Sequence, residues 1–212
     1  MTTVLLTGFE PFGGDARNPS EEAVAEVGRE WSGPETLVTA ALPVAFDAAA
    51  EELRRLVVQH APDLVIATGL AGGRDAVTPE RVAINLRDAR IPDNAGQQPA
   101  DAPCVEGGPA AYFSSLPVKA IVRAIADDGI PASLSHTAGT FVCNHVFYAA
   151  SGLAAAHPGL RAGFIHVPWS TETVPDDSPA LPTATIARAL ALALRAALDS
   201  EEDLAVPAGT LH

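Results

Sequence analysis

Short apolar runs alternate with amphipathic segments along most of the chain. The runs end at glycine or at polar residues, a pattern typical of strands buried on both faces of a parallel sheet. The longer segments place apolar residues three and four positions apart, as on one face of a helix. The predicted strands cover residues 4–7, 36–42, 63–68, 82–86, 131–136 and 162–167, and the predicted helices cover residues 19–31, 47–60, 115–128, 141–157 and 183–198. This alternation predicts βα units around a mostly parallel sheet.

Three of the predicted helices begin beside a residue that can cap a helix N-terminus. Asn18 precedes Pro19, which suits the first helical position, and Glu21 is placed to complete a capping box. Asp47 and Thr140 stand at the starts of the second and fourth helices. We therefore expect Asn18, Asp47 and Thr140 to accept hydrogen bonds from the first turns of these helices.

Residues 70–115 contain little helix pattern, and glycine and proline interrupt them repeatedly. A long irregular stretch inside a compact domain is usually functional or disordered, and the motifs in this one favour a functional role. The last residues, 201–212, are acidic and then contain proline and glycine, which predicts a loose tail. We expect one α/β domain over residues 1–200, followed by this tail.

The composition limits the classes of partner. The chain has 212 residues, with 13 Lys and Arg against 26 Asp and Glu, and a formal net charge of -13. No cluster of basic residues is present, so a nucleic-acid partner is not expected. The first residues lack the basic start of a signal peptide, and no apolar run is long enough to span a membrane. We therefore expect a cytoplasmic protein with no membrane partner.

Cys104 and Cys143 are the two cysteines, too few for a tetrahedral cysteine-rich metal site, and no metal ligand set is predicted. Cys143 lies where a strand gives way to a helix, and the partial positive charge of a helix N-terminus lowers the pKa of a thiol there. This position suits a nucleophile, although a buried inert thiol fits it as well. Cys104 has no comparable context and is expected to be inert.

A cysteine nucleophile needs a base, and six histidines are available. His166 ends an apolar strand, and the strand ends of a parallel sheet form its active crevice. His145 lies two residues after Cys143 on a different helix face, so we expect it to be structural. His166 is therefore the predicted base, and His136, which also ends a predicted strand, is the alternative.

A third group should orient the imidazole of the base. Four carboxylates of the irregular stretch are candidates, and spacing does not select among Glu80, Asp75, Asp88 and Asp93. The usual motifs of metal-dependent hydrolysis and of nucleotide binding do not occur in the sequence.

Five motifs resemble, in order, those of the pyroglutamyl peptidase I (pyrrolidone-carboxylate peptidase) family. They are residues 8–14 (GFEPFGG), 80–86 (ERVAINL), 88–96 (DARIPDNAG), 137–148 (TAGTFVCNHVFY) and 164–168 (FIHVP). The resemblance extends from Val4 to about Trp169. It implies one three-layer α/β/α domain with a mixed, mostly parallel sheet. It also implies a cysteine peptidase that removes an N-terminal pyroglutamyl residue from peptides.

The resemblance assigns a role to individual residues of this chain. The family's catalytic triad falls on Cys143, His166 and Glu80, and its oxyanion-binding arginine falls on Arg90. The residues that flank the pyroglutamyl ring in the family correspond to Phe9 and Phe12. The full predicted substrate-binding set is Phe9, Phe12, Asn18, Leu70, Ile91, Phe141 and Val142.

Two positions depart from the family pattern. Leu70 stands where many relatives have glutamine, and the loss of an amide there puts substrate affinity or ring selectivity in question. Trp169 stands where tyrosine or phenylalanine is more usual, which changes bulk without requiring a change in chemistry.

The predicted reaction is hydrolysis of the amide bond after an N-terminal pyroglutamyl residue, through a thioester on Cys143 and with no cofactor. One alternative is a cysteine amidohydrolase that acts on another small cyclic amide. Another is a catalytically silent protein that binds pyroglutamate or peptide ends. The expected partners are N-terminally pyroglutamylated peptides. Because the family includes monomers and tetramers, a homo-oligomer (a dimer or tetramer) is also among the expectations.

Overall fold

Nine strands and five helices are present in residues 1–175 and 177–209, the part of the chain that the computed structural model describes. The strands are β1 (Thr3–Phe9), β2 (Thr36–Leu42), β3 (Leu64–Leu70), β4 (Thr78–Pro79), β5 (Val82–Ile84), β6 (Ala111–Phe113), β7 (Arg161–Val167), β8 (Trp169–Ser170) and β9 (Ala180–Leu181). The helices are α1 (Pro19–Glu30), α2 (Phe46–His60), α3 (Val118–Asp127), α4 (Val142–Ala156) and α5 (Thr183–Asp199). All the predicted helices are present, and so are all the predicted strands except that at residues 131–136.

The central sheet has five strands in the order β2-β1-β3-β7-β4. Its first four strands run parallel, and β4 pairs with β7 in the antiparallel direction. The residues of β1, β3 and β7 are buried almost without interruption, as expected of parallel strands that are covered on both faces. The predicted mixed, mostly parallel sheet is therefore confirmed.

Helices cover both faces of this sheet. Successive residues of a strand point to opposite faces, so each strand contributes to two separate cores. Leu5 and Phe164 pack with α2 and α4 on one face, and Leu6 and Ile165 pack with α1, α3 and α5 on the other. The result is the predicted three-layer α/β/α arrangement. His166, two residues after Phe164, belongs to the face that α2 and α4 cover.

The first two helices begin with different kinds of cap. The side chain of Asn18 accepts a hydrogen bond from the amide of Ser20 at 3.0 Å, so its predicted capping role is confirmed. The prediction for Asp47 is wrong. Helix α2 begins one residue earlier, at Phe46, and the amide of Phe46 donates at 2.8 Å to the carboxylate of Asp93, which is distant in sequence.

Residues 131–136 do not form the strand that the sequence predicts. They make two isolated parallel bridges, Ala132 with Val77 and Ser135 with Glu80. Pro79 lies between these bridges, and its nitrogen has no hydrogen to donate, so the ladder is interrupted there. The segment nevertheless runs alongside Glu80.

The chain beyond α5 makes contacts with the start of α3. The carboxylate of Asp203 accepts hydrogen bonds from the amides of Lys119 and Ala120 at 2.9 and 3.1 Å, and the ammonium group of Lys119 donates to the carbonyl of Val206 at 2.6 Å. Residues 210–212 of the predicted tail lie outside the described residues. The division into a domain over 1–200 and a loose tail stays a prediction. Within the described ranges, no helix has the length and apolar character needed to cross a bilayer.

Candidate active site

Cys143 is the second residue of α4, and its thiol faces the end of the central sheet. The helix begins at Val142, after Phe141, and no side chain in the described part of the protein caps its first turn. The predicted cap by Thr140 is wrong, because its hydroxyl donates instead to the carbonyl of Asp88 at 2.7 Å. The N–H groups beside the thiol therefore have no side-chain acceptor.

The thiol of Cys143 lies directly over Gly69 of β3. A β-carbon on Gly69 would be 2.8 Å from the Sγ atom of Cys143 and 3.0 Å from the ring of Phe164. These distances are shorter than van der Waals contact, so a larger residue would displace the sulfur or the ring. The absence of a side chain at Gly69 lets the thiol approach the backbone of the sheet.

His166 is the neighbour of Gly69 on the adjacent strand. The two residues are paired in the parallel register of β3 and β7. Adjacent strands lie about 4.8 Å apart, and paired residues point to the same face. Phe164, two residues earlier on β7, packs against the imidazole with ring centroids 4.8 Å apart. Because the sulfur of Cys143 occupies the space over Gly69, the thiol and the imidazole are neighbours on this face.

A buried carboxylate orients the imidazole. Nδ1 of His166 lies 2.7 Å from Oε1 of Glu80, and the side chain of Glu80 is 0% exposed. An ionised carboxylate can only accept, so Nδ1 carries the proton and Nε2 is left to accept another. Thiol, imidazole and carboxylate in this order can perform nucleophilic attack with base assistance.

The other candidate carboxylates have different surroundings. Asp93 is buried and accepts hydrogen bonds from the amides of Phe46 at 2.8 Å and of Gln97 at 2.8 Å, which gives it a structural role. Asp75 and Asp88 are exposed. The alternative base, His136, is also exposed.

Burial and neighbouring groups together determine the protonation states of the three groups. Burial raises the pKa of Cys143 to about 12, and the negative charge of Glu80 adds to the rise. It also lowers the pKa of His166, although the hydrogen bond to Glu80 opposes this. Burial alone would raise the pKa of Glu80, but the hydrogen bond from His166, together with a hydrogen bond from Ser135 and the positive charge of Arg74, leaves that pKa lowered. At neutral pH, a neutral thiol therefore lies beside a neutral imidazole and an ionised carboxylate.

This result corrects the expected effect of the helix N-terminus on the thiol. The sequence predicts a lowered pKa for Cys143, and that prediction is wrong, because burial beside a carboxylate outweighs the partial charge of the helix. A base must therefore take the thiol proton during attack.

A cavity of about 240 Å³ opens beside Cys143. Much of its wall is aromatic, and the rings of Phe12 and Phe141 pack with centroids 5.4 Å apart. Six of the seven predicted substrate-binding residues line it, namely Phe9, Phe12, Asn18, Leu70, Phe141 and Val142. Their assignment to substrate binding stays a prediction.

Asn18 both caps a helix and lines the cavity, two possibilities between which the sequence alone could not decide. It caps α1, its amide group donates to the carbonyl of Glu10 at 3.0 Å, and it also lines the cavity. The loop after β1 is thereby fixed to the start of α1, and a polar side chain is held at an apolar wall.

Ile91 and Arg90 are not among the cavity-lining residues. The side chain of Ile91 is 53% exposed. Arg90 is exposed and makes no hydrogen bond or ion pair with the residues that the structure describes. Its segment is nevertheless adjacent to α4, because the amide of Asp88 donates to the carbonyl of Thr140 at 3.1 Å. The predicted oxyanion role of Arg90 stays a prediction.

Four further residues line the cavity and are not in the predicted substrate-binding set: Asp15, Arg17, Val44 and Trp169. Trp169 follows the strand that carries His166, and a strand end of this kind is a signal that could have revealed it. A β-carbon on Gly72 would lie 2.6 Å from the indole nitrogen of Trp169, so the loop after β3 packs closely against this ring.

Arg74 contacts the candidate triad and was also missed. One terminal nitrogen of its guanidinium lies 2.6 Å from Oε1 of Glu80 and also donates to the hydroxyl of Thr78. The other terminal nitrogen donates to the carbonyl of Thr137 at 3.0 Å. A cation therefore touches the carboxylate that orients the imidazole.

The remaining buried thiol and imidazole have structural surroundings. Burial raises the pKa of Cys104 to about 11, and both cysteines are free thiols. His145 is 3% exposed and packs edge-on against Phe46 with ring centroids 5.8 Å apart. In residues 1–175 and 177–209, no group of three or more His, Cys, Asp or Glu side chains is arranged to hold a metal ion.

Comparisons with known proteins agree with one another. The profile of a family described as Pyroglutamyl peptidase matches residues 2–200. A pyrrolidone-carboxylate peptidase of Streptomyces coelicolor is 53% identical over 216 residues and covers 100% of both chains. The crystal structure of Bacillus amyloliquefaciens pyroglutamyl peptidase I has a TM-score of 0.92 at 47% identity, covering 96% of this chain and 100% of that one. The pyrrolidone carboxyl peptidase from Thermococcus litoralis has a TM-score of 0.92 at 38% identity, covering 98% and 100%.

Proposed function

Since this chain belongs to the pyroglutamyl peptidase family and is a cysteine-type hydrolase of the pyroglutamyl peptidase I kind, we propose that Cys143, His166 and Glu80 are its catalytic triad. One observation carries the proposal. The imidazole of His166 is held at 2.7 Å by a buried carboxylate and lies on the strand beside Gly69, over which the thiol sits. The reaction is removal of an N-terminal pyroglutamyl residue from a peptide.

The first step joins the sulfur to the substrate. As Sγ of Cys143 bonds to the carbonyl carbon of the pyroglutamyl residue, Nε2 of His166 takes the thiol proton. The carbonyl electron pair moves to its oxygen, which gives a tetrahedral oxyanion. The ionised Glu80 stabilises the imidazolium that forms, and its hydrogen bond keeps the ring in place.

The next steps release both products. The carbon–nitrogen bond breaks, His166 gives its proton to the leaving amine, and the pyroglutamyl group remains as a thioester on Cys143. Water then attacks the thioester carbonyl and gives a proton to His166. The carbon–sulfur bond breaks, the proton returns to the sulfur, and free pyroglutamate leaves.

Two features support stabilisation of the oxyanion. The N–H groups in the first turn of α4 have no side-chain acceptor and lie beside the sulfur. Arg90 is the second donor that we propose, since its segment is hydrogen-bonded to Thr140, close to the start of the same helix. A cation near the oxyanion would act in addition to the backbone donors.

The cavity beside Cys143 suits the pyroglutamyl ring. This ring is a small neutral lactam, which needs an apolar slot and a few hydrogen bonds rather than a charged clamp. The rings of Phe9, Phe12 and Phe141 supply apolar walls, and Asn18 supplies a polar side chain. We propose that the lactam lies between these rings, with its carbonyl carbon towards Cys143.

Leu70 favours a second candidate substrate class, other small cyclic amides. It lines the cavity with an apolar side chain, at a position where the family resemblance leads us to expect an amide that could bind the ring. A panel of coumarin amides of pyroglutamate, proline and a six-membered lactam acid tests ring selectivity. We expect release from the pyroglutamyl amide alone, and equal rates on the six-membered lactam would favour the second class.

Cellular location and assembly follow as separate proposals. Attack by a cysteine requires a reduced thiol, and both cysteines are free, so we propose that the protein acts in the cytoplasm. Pyroglutamylated peptides are the proposed partners. A dimer or tetramer stays a prediction, which light scattering of the purified protein would test.

A further inference from the structure

We propose that Arg74 is a positioning residue, which fixes the Glu80 carboxylate against His166 and ties it to the segment that leads to Cys143. The inference rests on the proposed triad. Arg74 would act through Glu80 and not by touching the substrate.

The first observation is the sharing of one carboxylate oxygen. Oε1 of Glu80 lies 2.7 Å from Nδ1 of His166 and 2.6 Å from a terminal nitrogen of Arg74. Glu80 is fully buried, whereas the side chain of Arg74 is 28% exposed. An ionised carboxylate without solvent needs a cation or several donors, and Arg74 supplies the cation that a neutral imidazole does not.

The second observation is the fork geometry of the guanidinium. One terminal nitrogen donates hydrogen bonds to the carboxylate of Glu80 and the hydroxyl of Thr78. The other donates to the carbonyl of Thr137 at 3.0 Å. Residues 137–141 lead directly into the helix that carries Cys143. A single planar guanidinium group therefore connects the carboxylate to the thiol-bearing segment, which the ammonium group of a lysine would do less well.

The charge of Arg74 acts on all three members of the triad. It lowers the pKa of Glu80, opposes the burial that raises the pKa of Cys143, and adds to the burial that lowers the pKa of His166. Other ionisable residues of the surrounding segments, Asp75, Arg81 and His136, make no side-chain hydrogen bond to the triad within the described ranges. Loss of the Arg74 charge should thus make His166 easier to protonate.

The test compares Arg74→Met and Arg74→Lys with the wild type. In Arg74→Met we expect kcat to fall about 10- to 100-fold with little change in KM, as for the loss of a charge-assisted hydrogen bond. The acid limb of kcat/KM should move to higher pH by about 0.5 to 1 unit, because His166 loses a neighbouring cation. Arg74→Lys should keep the acid limb in place and restore part of kcat.

A second readout does not depend on the substrate. The rate of Cys143 alkylation by iodoacetamide as a function of pH should show the same shift in Arg74→Met. Arg55→Met is the matched control, since Arg55 pairs with Glu52 at 2.6 Å on the surface, and we expect it to change neither profile. If Arg74→Met does not fold, Arg74→Gln removes the charge while keeping a donor for Thr137, and the same shift is expected.

The outcomes separate this inference from the proposed function. Unchanged kcat and unmoved profiles in a folded neutral variant overturn the role of Arg74. A lower melting temperature with unchanged pH profiles of kcat/KM and of alkylation also overturns it, because that is the behaviour of a merely structural residue. No cleavage by the folded, reduced wild type would contradict the proposed function instead, and the alkylation profile would still decide the role of Arg74.

Discussion

At the scale of single residues, the position of the nucleophile depends on a missing side chain. Gly69 lies under the sulfur of Cys143, and a β-carbon there would be 2.8 Å from Sγ and 3.3 Å from the ring of Phe9. We predict that Gly69→Ala displaces the thiol and lowers kcat/KM about 100-fold, the effect expected of a displacement near 1 Å.

The control for this prediction is Gly73→Ala, in the turn that follows β3. No atom lies within 4 Å of the position that its β-carbon would take, so activity should be unchanged. Kinetics with a pyroglutamyl-coumarin amide, beside melting curves of both variants, make the comparison. Wild-type activity in Gly69→Ala would contradict the prediction, since it would show that the thiol tolerates a side chain at position 69.

The sequence identified the residues that bear the proposed chemistry, but it did not identify the contacts that position them or shift their pKa values. Cys143 and His166 stand at a helix start and a strand end, positions that a pattern reveals. Arg74 reaches Glu80 and Thr137 only because the folded chain brings separate loops together. The raised pKa of Cys143 arises from burial, which depends on the tertiary packing around the sulfur.

At the scale of elements, the start of α2 depends on a distant carboxylate. Asp93 is buried and accepts hydrogen bonds from the amides of Phe46 at 2.8 Å, Ala95 at 2.9 Å and Gln97 at 2.8 Å. Removal of this side chain leaves the buried amide of Phe46 without its acceptor and also removes the acceptor of the Ala95 and Gln97 amides. We predict that Asp93→Ala lowers the free energy of unfolding by about 3 kcal/mol, measured by urea denaturation.

The matched variant is Asp127→Ala. The side chain of Asp127 is 76% exposed, and its ion pair with Arg123 is long, at 3.9 Å, so its removal should cost little. The free energy of unfolding of this variant should change by less than about 0.5 kcal/mol. Equal destabilisation by the two substitutions would contradict the capping role of Asp93.

Element positions were predictable where periodicity was strong, and errors arose where contacts are non-local. The helices at residues 19–30 and 183–199 follow clear amphipathic patterns. The two-residue strands β4, β8 and β9 are too short to leave a pattern. The strand expected at 131–136 was interrupted by Pro79 of its partner, which no local reading of that segment could reveal.

At the scale of the whole molecule, buried ionisable groups favour neutral pH. Burial lowers the pKa of His145 to about 4 and also lowers that of His166. A histidine with a lowered folded pKa stabilises the fold above its unfolded pKa of about 6.5, and that stability is lost as pH falls towards the folded pKa. The lowered pKa of Glu80 acts in the same direction at still lower pH.

We therefore predict that stability falls between pH 7 and pH 5, with about 2 kcal/mol of the loss due to His145. Urea denaturation of the wild type and of His145→Leu at both pH values measures this contribution. The loss between the two pH values should be smaller in the variant, whatever its stability at pH 7. An equal loss in both proteins would mean that His145 is not the group that titrates.

The central claim, that Cys143 is the nucleophile of a pyroglutamyl peptidase, is tested most directly by kcat/KM for a pyroglutamyl-coumarin amide, with wild type and Cys143→Ser measured side by side. The proposed triad predicts release of the coumarin by the reduced wild type and a loss of roughly 1,000-fold or more in the folded variant. Turnover by Cys143→Ser at the wild-type rate would contradict the proposed mechanism.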